Sequence, residues 1–150
     1  RNGVMTLYKA ESATVTVSDG TINNGTGLAV TVNSTPPAGL ALTNPDHPVS
    51  CGSVSGNYSC TASGLGSNGS LTAKVSFVDS FGNLVVQSAT ADAAISLSTP
   101  SKGGVSPSSL TILKGTTTST GTFMLTKNGS NTATTAITFG STFTLTVSAS

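Results

Sequence analysis

What most constrains this chain is an alternation of apolar and polar residues that recurs along it with a period of two. In "SLTAKVSFVDS", Leu71, Ala73, Val75 and Phe77 fall on one face, and Thr72, Lys74 and Ser76 fall on the other. In "STFTLTVSAS", Thr144, Thr146 and Ser148 separate Phe143, Leu145, Val147 and Ala149 in the same way. Successive side chains of an extended strand point to opposite faces, so each run reads as a strand with one face to bury. The same spacing joins Ala13, Val15 and Val17, then Leu28, Val30 and Val32. It recurs at Ile95–Leu97, Leu110–Ile112, Phe123–Leu125 and Ile137–Phe139, and no stretch carries an apolar stripe at helical spacing. Turn chemistry punctuates the runs: "SDG" at 18–20, "NNGTG" at 23–27, "FGN" at 81–83, "KGG" at 102–104 and "KNGS" at 127–130. Many short strands between Gly- and Asn-bearing turns predict an all-β protein built as an antiparallel sandwich.

The sandwich does not claim the whole chain. At "NSTPPAG", Asn33 to Gly39, two consecutive prolines are unfit for a central strand and favour an extended linker over 34–39. Beyond it, about 110 residues carry eight or nine strand candidates, enough for one complete sandwich of immunoglobulin size over 40–150. Before it, residues 1–33 carry only two or three strands, and an isolated hairpin of that size is marginal in water. The opening segment is therefore expected to pair with strands outside its own sandwich. Leu7, Tyr8, Val15, Val17, Leu28 and Val30 are the residues expected at that contact.

Composition narrows the setting. Six Lys plus Arg stand against five Asp plus Glu, scattered along the chain, so no basic patch for nucleic acid can be read. The longest apolar runs, such as "LAV" and "LVV", are far too short to span a bilayer as a helix. Ser and Thr make up 24 and 26 of the 150 residues, so hydroxyls keep wet a surface that has few charges. That usage suits an environmentally exposed protein, and Thr suits the solvent face of a strand. Arg1 leads directly into strand-like sequence with no signal peptide, as a mature or excised secreted chain would.

The pattern "VDSFGNLV", followed by "GGVSPSSLTILKGTTTSTGTFMLT" and a final "FTLTVSAS", resembles bacterial immunoglobulin-like repeats of the invasin and adhesin type. The resemblance covers roughly residues 40–150. The opening "GVMTLYKAESATVTVSDGT" resembles the closing strands of such a repeat. It implies that Arg1–Val32 ends a preceding domain, and that the chain is a tandem, extracellular, non-enzymatic spacer or adhesive module.

Few residues invite chemistry. Cys51 and Cys60 bracket "GSVSGNYS"; only His47 and Asp46 lie near enough in sequence to help ligate a metal, and a redox Cys-x-x-Cys spacing is absent. A disulfide is favoured. With a two-residue turn at Ser55-Gly56 the two cysteines stand directly opposite, their Cα atoms about 4.5–5.5 Å apart. Closing the loop would stabilise by about 2–3 kcal/mol and would mark an oxidising compartment. His47, the sole histidine, sits beside Asp46 and near Ser50 between Pro45 and Pro48. No nucleophile elbow accompanies it, so a rigid surface loop is preferred to a hydrolytic triad.

Asp79 and Asp19 read as turn-forming aspartates before calcium ligands, because five acidic residues in all are too dispersed for a good site. A site between Asp19 and a loop of the second domain stays open. An isopeptide crosslink between Lys9 and Glu11 would need burial and an Asn in contact, and a solvated pair is the plainer reading. Five sequons, at Asn24, Asn33, Asn57, Asn68 and Asn128, are candidate glycosylation sites. There is no Trp to mark a sugar site, and Tyr58 is the aromatic least committed to the core.

The expected function is that of a non-enzymatic structural module in a surface stalk, adhesin or filament, with no cofactor or metal. Its expected partners are neighbouring copies or repeats, arranged head to tail. The alternative is a module that binds carbohydrate or protein through loops at one end of the sandwich.

Overall fold

The structure, a computed structural model, describes residues 4–54, 57–86 and 90–150. All regular structure among these residues is strand. No helix among them is long and apolar enough to cross a membrane. In chain order the strands are β1 (Ser12–Val15), β2 (Leu28–Thr31), β3 (Gly39–Thr43), β4 (Val49–Val54), β5 (Asn57–Ala62) and β6 (Ser70–Val78). They continue with β7 (Ala93–Leu97), β8 (Gly103–Ser106), β9 (Ser109–Ile112), β10 (Phe123–Lys127), β11 (Ala133–Phe139) and β12 (Phe143–Ala149).

Ten of these strands form two open sheets. One runs β3-β6-β10-β8 and the other β4-β5-β12-β11-β7-β9. The alternating residues line the space between them. Leu71, Ala73, Val75 and Phe77 of β6 and Phe123 and Leu125 of β10 are buried on one side. Ile95 and Leu97 of β7, Leu110 and Ile112 of β9, Ile137 of β11 and Leu145, Val147 and Ala149 of β12 are buried on the other. Removal of these apolar faces from water is the main force holding the two sheets together. At one end Phe77 crosses the interior, meeting Phe139 edge-on at 5.2 Å between ring centres and Phe143 at 6.2 Å. Phe139 and Phe143 are themselves directly opposite across β11 and β12.

One pairing departs from the antiparallel expectation: β5 lies parallel to β12, with Cys60 opposite Val147 and Ala62 opposite Ala149. Alternation specifies which face of a strand is buried. It carries no information about strand direction, so this pairing had no local signal.

Polar groups enclosed by the sheets find partners, as burial requires. The Ser76 hydroxyl lies 2.6 Å from that of Thr43 and 2.8 Å from that of Thr118. Ser119 accepts from Val75 N–H and donates to the Gly121 carbonyl. Thr135 donates to the Ser98 carbonyl at 2.6 Å, and Lys127 Nζ donates to the Leu65 carbonyl at 3.1 Å.

The remaining two strands stand apart. β1 and β2 form a two-stranded sheet, with Val15 opposite Leu28 and Ala13 opposite Val30. The segment over 34–39 is tied down more firmly than a free linker. Thr35 N–H donates to Asp79 Oδ2 at 3.1 Å, and Ala38 N–H donates to the Val78 carbonyl at 2.8 Å.

Candidate functional site

A closely bonded polar cluster lies where the opening segment meets the end of β6. It is built from "DSFGN", residues 79–83. Phe77 and its aromatic neighbours hold the end of β6, and the chain then turns sharply. Asp79 N–H donates to the Asn83 carbonyl at 2.9 Å, and Gly82 N–H donates to the Asp79 carbonyl at 3.1 Å. Gly82 takes φ of +83°, a left-handed conformation that a side chain disfavours.

Asp79 is fully buried, and both of its carboxylate oxygens are engaged. Oδ1 accepts from Phe81 N–H and Asn83 N–H, each at 2.9 Å. Oδ2 accepts from Thr35 N–H at 3.1 Å and from Asn83 Nδ2 at 3.0 Å. Burial alone would raise the carboxyl pKa. The side chain and backbone of Asn83, with the N–H groups of Thr35 and Phe81, outweigh it and lower the value to about 2.

Asn83 then reaches out to the opening segment. Its Nδ2 donates to the Tyr8 carbonyl at 2.8 Å, and its Oδ1 accepts from Ala10 N–H at 2.9 Å. Alongside, the rings of Tyr8 and Phe81 lie 5.1 Å apart at 45°. Two side chains thus tie three stretches of chain together: 8–10, Thr35 and 79–83.

No protein-family model matches the chain, and no curated protein matches it. The chain is similar to the crystal structure of domains 4 and 5 of the S-layer protein SbsC, at 18% identity and a TM-score of 0.33. That likeness covers 93% of this chain and 65% of the other.

The other residues singled out from the sequence are placed as follows. Cys51 and Cys60 face each other across β4 and β5 and are joined as a disulfide, their Cα atoms 4.1 Å apart. This is somewhat closer than expected. The Ser55-Gly56 turn inferred between them lies outside the described residues. His47 Nδ1 lies 2.9 Å from Asp46 Oδ1. Asp46 also accepts from Thr72 N–H at 2.8 Å, while Ser50 pairs with Thr61 in the β4–β5 ladder. Burial would raise the Asp46 pKa, and the bonds to His47 and Thr72 outweigh it, so the value is lowered. Asp19 is likewise lowered by the N–H groups of Ile22 and Thr21, which it braces within its own turn. Among the described residues no group of three or more His, Cys, Asp and Glu gathers as for a metal.

Lys9 and Glu11 form an exposed ion pair, far from the burial that an isopeptide crosslink requires. Of the expected contact residues, Leu7, Tyr8, Val17 and Leu28 are exposed, while Val15 and Val30 are half-buried. Exposed Val4, Met5 and Ile22 extend the same apolar character. All five sequon asparagines are exposed. The amide of Asn24 is engaged at both ends, by Val17 N–H and the Val15 carbonyl, and Asn68 Oδ1 accepts from Gly129 N–H. Tyr58 is half-buried against the core, its ring close over Gly39, where an added Cβ would stand 2.5 Å from a ring carbon. The parts of Asn83, Phe81 and Thr35 were not legible in advance. "DSFGN" announces a turn, but nothing in it announces a partner more than seventy residues away.

Proposed function

We propose that this chain is a non-enzymatic, extracellular structural module of a surface stalk, adhesin or filament. In this reading residues 40–150 are an immunoglobulin-like sandwich of the bacterial invasin and adhesin repeat type. Residues 34–39 connect it to 1–33, the closing strands of a neighbouring unit whose other strands come from an adjacent subunit or domain.

One comparison carries the reading. In the β1–β2 sheet Val15 stands opposite Leu28 and Ala13 opposite Val30, a pairing of apolar residues like Ile137 opposite Leu145 in β11–β12, where Thr135 also stands opposite Val147. The four residues of β11–β12 are fully buried, with β7 paired to one side of that hairpin and β5 to the other. In the opening hairpin those flanking strands have no counterpart among the described residues, and Leu28 is 64% exposed. Among the described residues the opening hairpin lacks the flanking strands that help bury β11–β12. Strand addition from a neighbour would supply them, and a head-to-tail contact of that kind does not close on itself. The disulfide fits an oxidising, extracellular setting.

The test is the state in solution. Sedimentation and electron microscopy should show the full chain assembling and residues 34–150 remaining monomeric. A full chain that is a stable monomer, with Val15 and Val30 shielded by its own core, refutes the reading. A second reading, recognition of carbohydrate or protein, is favoured by an apolar groove of about 280 Å³ lined mainly by strands β3 to β6 and not by end loops. Ala41, Cys51, Gly52, Tyr58, Val78 and Gly82 line it. A glycan-array or pull-down hit abolished by changes at Tyr58 or His47 would support that reading.

A further inference from the structure

We propose that the Asp79–Asn83 loop is a socket that reads the main chain of Tyr8–Ala10 and so sets the orientation of the β1–β2 hairpin against the two sheets. The carboxamide of Asn83 offers one acceptor and one donor side by side, as a strand peptide does. It receives Ala10 N–H and gives to the Tyr8 carbonyl, at 2.9 and 2.8 Å. These two groups flank Lys9, where the main chain bends, so the socket grips both sides of a bend that lies outside any strand.

The carboxamide is held in place from behind. Asn83 Nδ2 also donates to Asp79 Oδ2, and the Asp79 carboxylate is buried and takes three backbone N–H groups besides. With its oxygen and both of its N–H groups engaged, the carboxamide cannot swing without breaking several bonds at once, so the segment it grips is fixed and not tethered loosely. The tilted contact between Tyr8 and Phe81 adds the one side chain that is read. Lys9 is not read: its side chain is 78% exposed and pairs with Glu11 instead. The partner that fits is therefore a segment that bends between an aromatic residue and, two positions later, any residue with a free N–H. In this chain the occupant is Tyr8–Ala10. The inference rests on the structural reading above for its purpose, since a fixed junction is what a load-bearing or assembling module needs.

Hydrogen exchange and residual dipolar couplings on the full chain test it. In Asn83→Ala, the Ala10 amide should exchange about tenfold faster, the change expected when one hydrogen bond is lost, with amides of β6, β11 and β12 unaltered. Ala10→Pro removes the donated N–H in a segment outside both main sheets, so it probes the socket even if Asn83→Ala disturbs folding. It should abolish the Tyr8–Phe81 nuclear Overhauser contact and give the hairpin an alignment different from that of the sheets. Lys9→Ala should change neither measurement. Retained Ala10 protection in Asn83→Ala, or one shared alignment in Ala10→Pro, overturns the socket. Sedimentation of the same samples keeps the two ideas separate: a gripped hairpin in a chain that never assembles upholds the socket and defeats the module reading.

Discussion

Reducing the Cys51–Cys60 bond should lower the melting temperature by about 10 °C. The bond closes a loop of sequence separation 9. The loss of denatured-state entropy on closing a loop of that length amounts to about 2.6 kcal/mol on the chain-entropy model. For a chain of this size, each kcal/mol moves the midpoint by about 4 °C. The structure also places the effect. β4 is an edge strand of its sheet and, among the described residues, pairs with β5 alone, whereas β5 is held on its other side by β12. Without the crosslink β4 should open first.

Reduction held by excess reductant, or Cys51→Ser at the exposed partner, isolates the crosslink. A change at Cys60, only 2% exposed, would add a cavity. Thermal melts by circular dichroism, with and without reductant at one pH, supply the shift. Amide exchange supplies the location. A fall below about 3 °C would refute the loop-closure reasoning, and equal loss of protection in β4, β6 and β12 before melting would refute the edge-strand reasoning.

Two further outcomes follow from close contacts and charge. Gly103→Ala places a Cβ 2.0 Å from the Thr126 carbonyl oxygen, so β8 must move off β10. Urea unfolding should show a loss of about 1–3 kcal/mol, and an unchanged midpoint would contradict the packing at that edge. Asp79 has its carboxyl lowered to about 2 in the folded chain, against 3.8 for the free group. Its contribution to stability is thus complete above the unfolded value and is lost as pH falls through about 2. Melting temperatures from pH 5 down to 1.5 should fall more steeply in the native chain than in Asp79→Asn, which keeps the lowered carboxyls of Asp19 and Asp46. Parallel slopes in the two chains would remove Asp79 from the account.

Period-two alternation located strands β6, β7, β9, β10, β11 and β12 and named the faces they bury. Leu71, Ile95, Ile112, Leu125, Ile137 and Leu145 lie in the core where their spacing puts them. β3 was harder to see because Gly39–Thr43 offers few alternating residues, and its burial is set by contact with β6 and with the ring of Tyr58. The cysteine pair was legible because strand geometry puts residues flanking a short turn opposite one another. The junction was not legible. "DSFGN" could be read as a turn, and "LYKA" only as a strand-like stretch leading to β1.

The sequence by itself determined that the chain is built of strands, which face of each is apolar, where turns fall, and which cysteines meet. These are local properties: they follow from two-residue periodicity and from the conformational preferences of Gly, Asn, Asp and Pro. The tertiary structure alone decided that β5 runs parallel to β12, that Ser76 and Thr135 are enclosed with partners, and that Asn83 grips Tyr8 and Ala10. Each of these pairs groups far apart in sequence. Their choice depends on which burial and hydrogen bonding satisfy the whole chain at once, and no short window of residues contains that information.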